Sequence, residues 1–265
     1  MISRRVNAER IVLFGWSRAI LLQLAHPLIA AGVAEHSHFR SGARAAVSRL
    51  RGTVRTMLSL AFGDAASYGR SIAGIRTIHL RVHGELRAST GAYPAGTPYS
   101  AEDPDLVLWV HATHLDSVLM TYQCLVAPLS AAERDAYCEE AAGVAVALGA
   151  HSNEVPRTGA DLERYLAREY ASGRIAVGQD ARLIGDAVLF PPLSLVTGPF
   201  AWTNRLLTLG LLPAPIRAQY RYRWSETRAR QLQRTLRALR AARRLSPRAI
   251  AWWPVAKKSS ILRAD

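Results

Sequence analysis

From Asp105 to Gln123 the chain reads DLVLWVHATHLDSVLMTYQ, and its apolar residues return every three or four positions, the repeat of a helix face. The stretches AAERDAYCEEAAGVAVALG and GADLERYLAREYAS also read as helices, and strand-like alternation is nearly absent throughout. Start signals accompany each. Asp103-Pro104 supplies an N-cap and an N1 proline, Ser130 with Glu133 spells a capping box, and Thr158 opens a further helix. Breakers separate them, most clearly in STGAYPAGTPYSAEDP and EVPRTG. Alanine, leucine and arginine dominate, and all three favour helix. The pattern predicts an all-α fold, a single helical domain over residues 1–265.

Three segments refine that picture. Ile11 to Val33 is apolar but broken by Arg18, Gln23, His26 and Pro27. An arginine at the centre of a membrane helix costs about 2.5–3.5 kcal/mol, so the segment reads as a buried core helix. It is neither a clean span nor, despite the preceding Ser-Arg-Arg, a cleavable signal. Val188 to Trp202, VLFPPLSLVTGPFAW, is apolar yet too rich in proline and glycine for one regular helix. It suits the cap of a hydrophobic cavity or a surface against lipid. The segment from Arg217 to Arg248 holds eleven arginines and one carboxylate, Glu226. Within it, about residues 225–245, Leu232, Leu236 and Leu239 share one face of an amphipathic helix.

Charge narrows the partners only in part. The net charge is +14. Such a chain is compatible with nucleic acid, an anionic membrane surface or an acidic ligand. The basic helix lacks interleaved aromatics and any nucleic-acid reading motif, so nucleic acid is set aside. Peripheral contact with an anionic membrane is retained, each basic residue near such a surface contributing about 1 kcal/mol. Cys124 and Cys138 are the only cysteines, which excludes a disulfide framework and a four-cysteine zinc site. A reducing, cytoplasmic setting follows as the default.

Histidine is the informative residue. Seven of eight fall before residue 115: His26, His36, His38, His79, His83, His111 and His114. In IHLRVHG the helical reading puts His79 and His83 on one face at i,i+4, and His111 and His114 pair at i,i+3. A zinc hydrolase needs His-Glu-x-x-His, which is absent. A ferritin-like di-iron site needs two Glu-x-x-His units, and only Glu35 with His38 qualifies. Haem asks for less: one neutral imidazole, arginines for the propionates and apolar helices around the ring. Without Cys-x-x-Cys-His any haem is non-covalent. No Gly-x-Ser-x-Gly elbow and no phosphate loop appear, and in AYCEE the carboxylates beside Cys138 raise a thiol pKa.

The motifs RAILLQLAHPLIAAGVAEHSHF, RLRGT, IHLRVHG and DPDLVLWVHATHLDS follow one another in an order that resembles the MpaB-type oxygenases, which share a catalytic domain with rubber oxygenase, the latex-clearing protein. PLSAAERDAYCEE and GLLPAPIRAQY fit the same pattern, so the resemblance spans about residues 8 to 255. It implies a globin-like helical core binding haem b, and dioxygen-dependent cleavage of an isoprenoid double bond. The substrate is then small and apolar, with dioxygen as co-substrate. RLRGT places Arg49 and Thr53 on the distal side of the haem. Gly52 stands where the family has a lysine able to cap the iron, so the distal side is open or another group reaches it. His79 occupies the proximal-ligand position, in preference to His83, which faces solvent or a propionate. Glu35 lies where a distal acid or base would sit. His26, His36 and His111 are assigned to hydrogen bonds between helices or support behind the ligand. The alternative is a membrane-associated binding protein of this fold without catalysis.

Overall fold

The caps written into the sequence are the ones the chain uses. In the computed structural model, which describes residues 1–36, 42–190 and 198–261, Asp103 accepts from the Asp105 amide and starts α6, Pro104–Leu125. Ser130 and Glu133 close a capping box at α7, Ala131–Leu148. Thr158 and Asp161 close a second at α8, Gly159–Ala171. Each pairing satisfies amides left without partners in a first helical turn.

The N-terminal part comprises α1 (Ile2–Asn7), a 3-10 segment (Arg10–Gly15), α2 (Trp16–Leu24), α3 (Pro27–His36), α4 (Gly42–Phe62) and α5 (Ala65–His79). The C-terminal part comprises α9 (Gln179–Leu189), α10 (Gly198–Leu211), α11 (Ala214–Gln219), α12 (Glu226–Leu245), α13 (Arg248–Ala251) and α14 (Pro254–Ile261). A two-stranded antiparallel pair, β1 (His83–Glu85) and β2 (Pro98–Ser100), is the sole sheet among the described residues. The fold is essentially all-α, as the periodicity predicts.

Helix α6 is the axis of the core. It packs against α2, the 3-10 segment, α7, α8 and α12. Trp109 and Leu115 are almost fully enclosed on it, facing Leu21 and Leu22 of α2. Each such side chain contributes about 1.5–3 kcal/mol through removal from water. The buried Trp109 indole donates to the Leu22 carbonyl at 3.2 Å. Arg18 of α2, 2% exposed, pairs with Asp116 at 2.7 Å and donates to Ser117 Oγ and the Leu211 carbonyl. One guanidinium therefore joins α2, α6 and the end of α10. Gly15 lets the 3-10 segment ride directly on α6, because a Cβ there would strike Thr121 and the Ser117 carbonyl.

One expectation changes and another holds. Ile11 to Val33 is buried but is not one helix: the 3-10 segment, α2 and α3 divide it, with a bend of 106° between its halves. Pro27 starts α3 at the position where its missing N–H costs nothing. No single helix among the described residues is long and apolar enough to cross a membrane. The run Val188 to Trp202 is interrupted as its prolines require, α9 ending at Leu189 and α10 starting at Gly198; residues 191–197 lie outside the description.

Candidate active site

The IHLRVHG motif straddles a helix end. α5 stops at His79, the chain turns through Leu80 and Arg81, and His83 begins β1. The i,i+4 stacking of the two imidazoles is therefore corrected. Long-range packing decides the break: Val82 joins a cluster with Leu28, Ala31, Leu86, Tyr99 and Leu106. Gly84 must be glycine because a Cβ would sit 2.7 Å from Tyr99 Oη.

The two histidines end in different surroundings. His83 is exposed, and its carbonyl accepts from His36 Nε2 at 3.1 Å. His79 is half-buried, and its Nδ1 is enclosed with no hydrogen-bond partner among the described residues. Burial pushes its pKa down, only partly opposed by Glu102. The ring is therefore held neutral near neutral pH, the form with a lone pair free for a metal.

Glu35 does not sit as a free base. Its carboxylate accepts from Tyr99 Oη at 2.6 Å and pairs with Arg87 at 3.1 Å, and these bonds lower its pKa. It fastens α3 to the β1–β2 pair and is exposed. Its assignment as a distal base is withdrawn, since a carboxylate stabilised as an anion is a weaker proton acceptor.

α4 carries the other two residues. Arg49 lies on it, with its side chain outside the description, and Thr53 is exposed. α4 and α5 form a hairpin held near its turn by Ser59 and Ser71, whose hydroxyls meet at 3.0 Å. Gly52 falls on the same α4 face as Ser59, and Gly74 near the α5 face of Ser71, by the 3.6-residue period. Nothing lies within 4 Å of a Cβ built on either glycine. The arms thus part beyond the serine contact, and no α5 residue is fully buried. At the parted end Leu50, Ile78 and Leu80 are 55–63% exposed, an apolar surface left without cover.

The opposite face of α4 walls a cavity of about 160 Å³. Leu50, Thr53, Met57 and Ala61 follow one another along that face at helical spacing, and the last two line the cavity. The far wall is α6, through His111, His114 and Leu115, with α7, α1 and the 3-10 segment closing the sides. Burial pushes His111 down to about 3, helped by neighbouring His114, and His114 down to about 4. His111 Nε2 is enclosed without a partner, and neither ring makes a hydrogen bond among the described residues. The assignment of His111 to an inter-helix hydrogen bond is therefore corrected. His26 makes a hydrogen bond, with Tyr93 Oη at 3.1 Å, but to the connection between β1 and β2 and not to another helix. Cavity exposure of this i,i+3 pair is what the sequence reading missed; the spacing was visible, the lack of partners was not.

No group of three histidine, cysteine, aspartate or glutamate side chains positioned for a metal occurs among the described residues. A centre bound through a single protein ligand remains compatible with that geometry. His79, neutral and with an enclosed unpartnered nitrogen beside the parted hairpin, fits haem ligation. Cys138 is packed in the core with its pKa up to about 11, chiefly by burial and secondarily by Asp135 and Asp161, so it is no nucleophile.

Comparison with known proteins bears on this geometry. The family model described as "ER-bound oxygenase mpaB/B'/Rubber oxygenase, catalytic domain" matches residues 3–241. Two uncharacterized proteins, from Mycobacterium bovis and Mycobacterium tuberculosis, are each 28% identical over 231 residues, covering 86% of this chain and 87% of theirs. No solved structure matches.

Proposed function

The chain belongs to the mpaB and rubber oxygenase catalytic-domain family, and from that membership we propose a haem b-dependent oxygenase acting on an apolar, isoprenoid or lipid-like substrate with dioxygen. The observation that carries the haem assignment is His79 Nδ1, enclosed and without a partner at the end of α5. Buried polar atoms rarely go unpaired, so this nitrogen, without a partner among the described residues, suits a bound group. Haem, when bound, supplies the dioxygen chemistry that no side chain here offers.

The chain's own residues supply the surroundings. His79, kept neutral by burial, holds the cofactor without competition from a proton near pH 7. The uncovered apolar side chains of Ile78 and Leu80, beside His79, gain burial against a flat apolar ring. Thr53, on the cavity side of α4, contributes a hydroxyl that donates to the oxidant, and Arg49 adds a positive charge one turn earlier. Gly52 puts no side chain where the family resemblance has a lysine able to cap the iron, so the distal side stays open. Surrounding apolar walls exclude water from the reacting double bond.

Membrane docking is part of the same reading. On α12, Arg230, Arg234, Arg237, Arg244 and exposed Leu245 share the face opposite Leu232, Leu236 and Leu239, which pack on α10. Arg234, Arg237 and Arg244 form no ion pair among the described residues. An outward cationic stripe ending in leucine suits an anionic bilayer, the source of an apolar substrate.

The test is the absorption spectrum of protein expressed with haem supplied. A Soret band is expected in the wild type and in His83→Ala, and its loss in His79→Ala. A band unchanged in His79→Ala but lost in His111→Ala would move the ligand to the cavity. Absence of any band would leave the non-catalytic, membrane-associated alternative, checked by flotation with anionic vesicles.

A further inference from the structure

We propose that the cavity between α4, α6, α7, α1 and the 3-10 segment binds an uncharged, mostly apolar molecule through one hydrogen-bonding oxygen, which His111 and His114 receive. As the substrate pocket of an oxygenase this rests on the reading above; as a binding site it stands on its own geometry.

Size sets the first limit. A cavity of about 160 Å³ is close to the roughly 150 Å³ of an engineered apolar cavity that takes benzene. It therefore admits about six to eight heavy atoms of a ligand, and its open side lets a longer one continue outward. Its walls are largely apolar: Leu13, Trp16, Met57, Leu115, Val144 and Trp253.

Polarity sets the second. Two carboxylates reach the lining, but both are engaged. Glu140 accepts from the amides of Ile2 and Ser3, and Glu9 accepts from Arg243 and Trp252. The two imidazoles are different: half-buried on the cavity wall, they make no hydrogen bond among the described residues, and His111 Nε2 is enclosed and unpaired. The edge of Trp16 approaches His114, 6.3 Å away between ring centroids. Leaving a buried nitrogen unmet is costly, so a ligand oxygen is favoured there.

Charge sets the third. Burial keeps both rings neutral above about pH 4. A neutral imidazole offers an anion no countercharge, and the cations nearby, Arg243 and the Met1 ammonium, are already matched by Glu9 and Glu140. A cation would sit in an apolar site without a free carboxylate. An alcohol, phenol or ketone satisfies all three limits. The pocket also adjoins the proposed chemistry, because Thr53 lies one turn along α4 from Met57.

The experiment is isothermal titration of the full chain, as purified, with phenol, benzene and benzoate. Phenol is expected to bind about fivefold more tightly than benzene, the worth of one neutral hydrogen bond. Benzoate is expected at least tenfold weaker than phenol. His111→Leu and His114→Leu, checked for fold by circular dichroism, should erase the phenol advantage in at least one case while keeping benzene affinity. Should both unfold, Ala61→Phe decides: by filling the cavity it must abolish phenol binding. Equal affinity for phenol and benzene, benzoate binding as tight as phenol, phenol binding that survives Ala61→Phe, or no binding at all would overturn the proposal. A Soret band without phenol binding refutes the pocket alone. Phenol binding without a Soret band refutes the haem assignment alone.

Discussion

Acid should unfold this protein through its histidines before its carboxylates matter. The perturbation is a fall in pH from 7 to 5. His26, His111 and His114 are held neutral in the fold, with pKa values pushed down by burial to about 4, 3 and 4. In the unfolded chain a histidine titrates near 6.5. Below that value the unfolded state takes up protons that the folded state refuses, so stability present above pH 6.5 is lost as pH falls toward the folded values. Each such histidine removes up to about 1.4 kcal/mol per pH unit. Three together approach about 4 kcal/mol per unit at the steepest, against a total stability of about 5–15 kcal/mol. Carboxylates with lowered pKa values, such as Asp64, Glu133 and Asp161, contribute stability lost only as pH falls below the unfolded carboxylate range near 4. The assay is urea unfolding at pH 7, 6, 5.5 and 5, followed by circular dichroism. In the His111→Leu, His114→Leu double variant the slope between pH 6 and 5 should fall by up to about 3 kcal/mol per unit, leaving the shares of His26 and His79. Parallel slopes in the two proteins would refute the assignment of both rings as buried and neutral.

Two further changes test the frame around the site. Arg18→Met strands the Asp116 carboxylate and should cost about 3–5 kcal/mol in denaturant stability. Replacing both partners by apolar residues should recover most of that loss, and a double variant no better than the single would contradict the ion-pair account. Gly15→Ala drives a Cβ into the Ser117 carbonyl and Thr121, and should cost about 1–3 kcal/mol by overpacking; a thermal midpoint unchanged within a degree would show that the contact yields freely.

What the sequence made legible was local. Asp103, Ser130 and Thr158 start their helices because a cap involves residues two or three positions apart. The basic helix foreseen at about 225–245 is α12, Glu226–Leu245, for the same reason, with Ser225 as its cap. The end of α5 at His79 was not legible, because Val82 and Gly84 answer to Leu28 and Tyr99, neighbours only in space. Glu35 matched a family position in sequence, but its chemistry is set by Tyr99 and Arg87, 64 and 52 residues away. The His111–His114 pair showed its spacing, yet the decisive fact is that no other element supplies a partner. Periodicity carries no information about that.

Glu9 has a consequence for how the molecule is made. Its carboxylate, 4% exposed, is met by Arg243 at 2.5 Å and by the Trp252 indole at 2.8 Å, while the Trp253 amide donates to the Ala8 carbonyl. Trp253 also closes one side of the cavity. The turn after α1 is thus fastened to the region around α12 and α13 across 234 residues of sequence. Contacts so distant in sequence are slow to form, so the chamber gains the wall that Trp253 supplies only when long-range docking succeeds, and not from the local helices that make up most of its lining.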